Sequence, residues 1–158
     1  MPQRSDRSLT LTHRFATEAD FPLLAGLNAQ LVEDEGHHRR WSQEQLAGMW
    51  HEWLRQRYYA LLFEHQGVVV AYALYRADED ASIYLRHFFV CREQRRKGIG
   101  QKAIRMLIDE IWPRGARITL DVLLHNEAAR SFWGELGFKP YAVSMELDTS
   151  TGSEAPCV

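Results

Sequence analysis

Cysteine is scarce in this chain. It occurs only at Cys91 and Cys157 in 158 residues. Two thiols that far apart build no disulfide framework and have no zinc-ligand spacing. Long hydrophobic runs are also missing, and the opening MPQRSDRS lacks the apolar core of a signal peptide. Neither sign of charge dominates. The formal net charge is −2, so nothing supplies the bulk attraction that nucleic-acid binding uses. No internal repeat is visible. What remains, 46% hydrophobic and 25% charged, is ordinary globular composition in a chain long enough to bury one core. The expectation is a soluble cytoplasmic protein with no membrane or nucleic-acid partner.

The pattern along the chain is well punctuated. Leu9, Leu11, His13 and Phe15 alternate with polar residues and predict a strand. Thr17 caps a helix carrying Phe21, Leu24, Leu27 and Leu31 at helical spacing, which frays near EDEGHHRR (33–40). Ser42 and Gln45 form a capping box for a second helix that ends near Arg57. YYALLFEH (58–65), a turn at Gln66-Gly67 and VVVAYALYRA (68–77) predict a hairpin, and SIYLRHFFV (82–90) another strand. A helix follows from Gly98 to about Trp112, then a strand ARITLDVL (116–123) and a short helix from Asn126 to Gly137. YAVSMEL (141–147) alternates as a last strand. The order β-α-α-β-β-β-α-β-α-β predicts an α/β (α+β) fold with a mixed, mostly antiparallel sheet and helices on both faces. Residues 1–148 read as one domain, and 149–158 as a small, polar, disordered tail.

The basic residues, nearly all arginine, concentrate at 92–97, just before Gly98-Ile99-Gly100. A helix start carries N–H groups without intrahelical partners and about half a positive charge. Glycines let a ligand oxygen approach those groups, and Arg95, Arg96 and Lys97 add full charges. The expected ligand is phosphorylated, with a pyrophosphate. A solvated glycine turn is the plain alternative. Gly98 to Ala103 also fits G-x-G-x-x-A, with Asp121 about twenty residues on. Three features argue against a dinucleotide fold. The loop from Cys91 to Lys97 is too long for that tight turn, too little chain follows Asp121, and hairpins rather than a βαβ unit come before it. The G-x-x-x-x-G-K-[ST] pattern is absent.

R-R-K-G-I-G matches R-x-x-G-x-G, follows a strand ending in FFV, and precedes N-x-x-A-R-S-F-W-x-x-L-G-F (126–138). Together these resemble the GNAT superfamily of acetyl-CoA-dependent N-acetyltransferases, over roughly residues 9–147. The resemblance implies that the fourth and fifth strands splay apart to admit coenzyme A. Arg95, Arg96, Lys97, Gly98, Ile99, Gly100 and Gln101 would hold its pyrophosphate. Phe88, Phe89 and Val90 would pair their backbone with the pantetheine arm, Asn126 would hydrogen-bond it, and Ala129 and Phe132 would lie along it. Acetyl-CoA is then a co-substrate, no metal is called for, and the acceptor is a primary amine of a small molecule or peptide.

Acetyl transfer to an amine needs a neutral amine, a polarised thioester carbonyl and a proton for the leaving thiolate. Many relatives protonate the thiolate with a tyrosine in the helix after the asparagine. Here Trp133 stands at that position, and an indole N–H is no acid. Tyr141 and Tyr84 are the nearest substitutes. IYLRHFFV also resembles the same strand of polyamine acetyltransferases, where two acids precede FFV. Arg86 and His87 take their places, which disfavours a polycation and favours an acceptor carrying a carboxylate. A pair with Asp121 or Glu79 is the plain alternative for Arg86. His87 has base chemistry, but neighbours on a regular strand face opposite ways, so only a bulge would let both reach the acceptor.

In the family the acceptor site lies between the first two helices and the sheet. Glu33, with Asp34 and Glu35, is a candidate there for binding the amine or taking its proton, against the plain reading of a solvated loop. His37, His38 and His51 form no convincing metal set. Trp41, Trp50, Trp53, Tyr58 and Tyr59 form an aromatic-rich stretch in which Trp50 and Trp53 share a helical face and read as core, with a cover over an apolar acceptor or a homodimer contact as alternatives. Two other readings stay open: a non-catalytic acyl-CoA-binding module, to which Trp133 points, and an acyltransferase using a longer acyl-CoA.

Overall fold

Gln66 and Gly67 close the sharpest hairpin of the chain because both adopt left-handed backbone, φ 52° and 76°. Their twist matches that of the strands they join, β2 (Tyr58–His65) and β3 (Val68–Ala77). β1 (Thr12–Phe15) pairs antiparallel with β2, and β4 (Ile83–Val90) antiparallel with β3. β5 (Ile118–Leu120) adds a short parallel strand beside β4, giving the order β1-β2-β3-β4-β5. This is the computed structural model of the chain; it describes residues 9–36 and 40–150, in two units that divide after Asn126.

In the first unit, a 3-10 turn (Glu18–Asp20) leads into α1 (Phe21–Glu35), and Gly36 ends that helix in left-handed backbone at φ 68°. α2 (Gln43–Arg55) starts on the Ser42–Gln45 capping box, Ser42 Oγ accepting from the Gln45 N–H at 3.1 Å. α3 (Ile99–Met106) runs on into a π turn (Leu107–Ile111) before Pro113.

Two layers cover the sheet. Phe21, Leu24, Leu31, Leu46, Trp50 and Trp53 of α1 and α2 bury one face together with Tyr58, Leu62, Tyr72, Leu74 and Phe89. α3 buries Ile99, Ala103 and Ile104. Trp112, just past the π turn, packs edge-on against Tyr75 at 5.6 Å. Trp50 and Trp53 are thus core residues, as their shared helical face predicts.

The observed elements are shorter than the sequence pattern at three places. β1 begins at Thr12 rather than Leu9, and β5 spans only Ile118–Leu120 of the run 116–123. The strand expected at 141–147 does not form. In the second unit, α4 (Glu127–Glu135) is followed by irregular backbone, with Tyr141, Val143, Met145 and Leu147 all exposed. Alternation is only half of a strand; the other half is a neighbour to accept its ladder, and no strand pairs with 141–147 among the described residues.

Candidate functional site

β4 changes character at Arg86. Opposite it on β3, Tyr75 pairs with Leu85, but the next residue, Leu74, pairs with His87. Arg86 is an extra residue, a β-bulge. The bulge supplies the condition under which both side chains share a face. The Arg86 guanidinium lies 5.2 Å from the Trp53 ring and 5.7 Å from that of Tyr58. The His87 ring stands nearly perpendicular to Trp53 at 5.0 Å, and its Nδ1 lies 3.3 Å from the Tyr72 hydroxyl. Burial pushes the Tyr72 phenol well above its ordinary pKa, so it stays protonated.

The bulge also turns over the backbone. Before it, the Ile83 N–H donates to the Arg117 carbonyl on the β5 side, at 2.9 Å. After it, the Cys91 N–H donates to the Val70 carbonyl on the β3 side, at 2.8 Å. By the alternation of the ladder, the peptide groups of Phe88 and Val90 therefore face away from β3. β5 pairs with β4 only at Ile83, Tyr84 and Leu85, so the strand from Arg86 to Val90 has an edge that β5 does not reach. The two strands separate where the family resemblance implies that they should.

That open edge leads to the glycine loop. Arg96 holds left-handed backbone at φ 61° and Gly98 at 76°. For a non-glycine residue this is uncommon and costs about 1 kcal/mol or more. The first bond of α3 runs from the Lys102 N–H to the Gly98 carbonyl at 3.2 Å. The N–H groups of Ile99, Gly100 and Gln101 thus precede the intrahelical ladder, over a helix start anchored by the buried Ile99.

The basic residues of the loop divide into two pairs. Arg92 donates to Glu33 at 3.0 Å and to Asp34 at 2.9 Å. Arg95 donates to Asp34 at 2.6 Å and through Nε to the Val90 carbonyl at 3.0 Å, with its guanidinium 5.1 Å from the Phe89 ring. Burial works against the Asp34 carboxylate, but hydrogen bonds from Arg95 and Arg92 outweigh it, and its pKa falls below the ordinary value. Arg96 and Lys97 are exposed, Lys97 touching Gln94 at 3.4 Å.

A family model described as the acetyltransferase (GNAT) family matches residues 23–138. This chain belongs to the GNAT family of acetyltransferases. Among curated proteins none matches it in sequence. Solved structures share its fold at low identity. A predicted acetyltransferase of Clostridium acetobutylicum, crystallised with acetyl-CoA, is 17% identical, with TM-score 0.68 over 88% of this chain and 96% of that one. The aminoglycoside N-acetyltransferase AAC(6')-Iy in complex with CoA is 15% identical, with TM-score 0.70 over 92% and 98%. The ribosomal-protein-alanine N-acetyltransferase of Brucella melitensis biovar Abortus is 18% identical, with TM-score 0.69 over 88% and 99%.

The remaining candidates of this GNAT chain fall as follows. Glu33 is held by Arg92, and it also lines a cavity of about 480 Å³ with Arg40 and Trp41 where α1 gives way to α2. Arg86 and His87 are not among the walls of that cavity. Tyr84 donates to Asp121 at 2.7 Å, and burial, reinforced by that bond, pushes its pKa up to about 12. Asp121 therefore serves a tyrosine, and Glu79 lies 4.0 Å from Arg57, so neither acid is the partner of Arg86. The Asn126 N–H donates to the Leu123 carbonyl at 2.9 Å.

Within the second unit, Ala129, Phe132 and Trp133 lie on α4, where Trp133 packs edge-on against Phe132 at 4.9 Å and Phe138 at 5.2 Å. Gly137 ends that helix at φ 95°. Tyr141 is 83% exposed in the irregular segment.

His51 packs on Phe21 at 4.6 Å, and His37 and His38 lie outside the described residues, as do Cys157 and most of the tail. Among the described residues, no group of three His, Cys, Asp or Glu could hold a metal, and no helix is long and apolar enough to cross a membrane. Sequence reasoning missed Tyr72 and the pairing of Arg92 and Arg95 with α1. The two-residue alternation of VVVAYALYRA is the one signal that places Tyr72 on the face of Leu74.

Proposed function

We propose that this chain moves an acetyl group from acetyl-CoA to a primary amine of a small molecule or peptide, by direct attack with both substrates bound. One observation carries this reading. The edge of β4 that β5 does not reach, past Leu85, runs directly into a left-handed loop and the start of α3. The amides of Ile99, Gly100 and Gln101, with Arg96 and Lys97 beside them, suit a diphosphate. The Phe88 peptide group and the Val90 N–H face the side on which an extended amide-bearing arm would add to β4 as a strand does, the Val90 carbonyl being held by Arg95. The Val90 N–H, which faces that edge, suits a carbonyl of the arm. Asn126 would hydrogen-bond that arm, as the family motif implies. Arg95 serves differently, bracing Val90 and Phe89 against α1. The CoA-bound relatives support the same co-substrate.

The test is thiol release from acetyl-CoA across a panel of amines, with CoA binding followed by calorimetry. Turnover with an amine and saturable CoA binding are expected. Tight CoA binding without thiol release would replace this reading with a binding module, to which Trp133 points. Faster turnover with succinyl- or longer acyl-CoA would move the donor.

A further inference from the structure

Three arginines lie on the sheet: Arg14, Arg76 and Arg86. Arg14 holds Asp20 at 2.8 Å and Glu64 at 2.9 Å, and Arg76 holds Asp78 at 2.7 Å. Arg86 makes no ion pair among the described residues. Its guanidinium is stacked on Trp53 and Tyr58, and the side chain is exposed to solvent. Stacking uses the flat faces of the group and leaves its N–H edges for a ligand. Beside it on the same face stands His87, with Nδ1 against Tyr72. The bulge that aligns the two is also where the open edge of β4 begins.

We propose that the acceptor is an amine that also carries a carboxylate, bound through that carboxylate by Arg86, and that His87 carries the proton of the reaction. This rests on the acetyltransferase reading above. An arm lying along Val90 and Phe88 from the diphosphate loop brings its thiol end toward Arg86 and His87. This role uses the tautomer in which Nδ1–H donates to the Tyr72 hydroxyl 3.3 Å away, so that the basic lone pair of the imidazole is on Nε2. The acceptor nitrogen forms the new C–N bond to the acetyl carbon and passes a proton to Nε2. The C–S bond breaks, and the thiolate takes that proton back from the imidazolium. Acetyl-CoA and amine give amide and CoA thiol, and His87 ends as it began. One imidazole thereby does the work of the tyrosine that Trp133 replaces. The groups facing it include Tyr72 from β3, Arg86 from β4, and Trp50 and Trp53 from α2; Cys91 and the Glu35 carboxylate of α1 act on Tyr72.

The experiment compares amino acids with their carboxamides and with spermidine as acceptors, by thiol release, in the wild type, Arg86→Gln and His87→Gln. CoA affinity is measured alongside by calorimetry. The free acids should exceed their amides at least tenfold in kcat/KM, with spermidine poorer still. Arg86→Gln should erase that preference through KM. His87→Gln should lower kcat about 10²-fold and remove the acid limb of the pH profile. Neither variant should change CoA affinity. Equal use of acids and amides by the wild type, or a preference that survives Arg86→Gln, overturns the carboxylate assignment while leaving the acetyltransferase reading intact. An unchanged pH profile in His87→Gln overturns the proton carrier. Absence of CoA binding in the wild type would instead remove the reading on which both rest.

Discussion

The two halves of β4 are one continuous strand with opposite employments. Ile83 and Leu85 are at most 2% exposed and have a strand on either side. From Arg86 to Val90 the strand keeps β3 but has no β5 beside it. The first half spends its backbone groups and side chains on the fold. The second half turns the peptide groups of Phe88 and Val90 away from β3 and carries the cation and imidazole on which the proposals above rest. A single inserted residue separates the two, and what it teaches is that stability and function can be divided along a strand rather than between domains.

Four substitutions test that division. Gly100→Glu puts a carboxylate where the diphosphate is proposed to sit, and should weaken CoA binding more than 100-fold by calorimetry while the circular dichroism spectrum is unchanged. Undiminished affinity would detach the loop from the open half. On the closed half, Leu85→Ala should cost about 3 kcal/mol in denaturant unfolding, with CoA affinity unchanged in the protein that remains folded. Val90→Pro removes an N–H that faces the open edge rather than the β3 ladder. It should lower CoA affinity and acetyl transfer about tenfold at a smaller stability cost than Leu85→Ala; the reverse order would mean that Val90 belongs to the fold.

The smallest effect concerns the brace on α1. The pKa of Asp34 is lowered in the folded state, so its ionised form stabilises the fold above the ordinary carboxylate pKa. That contribution is lost as pH falls through the lowered value. Asp34→Asn should therefore lower stability by under about 1 kcal/mol near pH 7, since the pair is largely exposed. The difference from wild type should shrink as pH falls through the ordinary carboxylate range and below. A gap in Tm that does not depend on pH would assign the effect to something other than charge.

The parts legible in the sequence are those written in neighbouring residues. Gln66-Gly67 announces its turn, Ser42 and Gln45 announce their cap, and Gly98 with Gly100 announces a backbone that a ligand can approach. The bulge at Arg86 is not legible, because IYLRHFFV contains no residue that demands one; it follows from register against β3. The Arg92 and Arg95 pairs join residues about sixty positions apart, which no local pattern encodes. At 141–147 the alternation is real and still misleads, because it states which side chains would share a face and says nothing of a neighbour.

The brace formed by Arg95 has a further consequence. One guanidinium is fastened to the last turn of the first helix and to the final carbonyl of the fourth strand. A displacement of that helix must therefore be felt at the entrance of the glycine loop, and the converse holds with equal strength. If a ligand on one side of this rivet displaces it, the free energy of binding on the other side changes by the same amount in both directions.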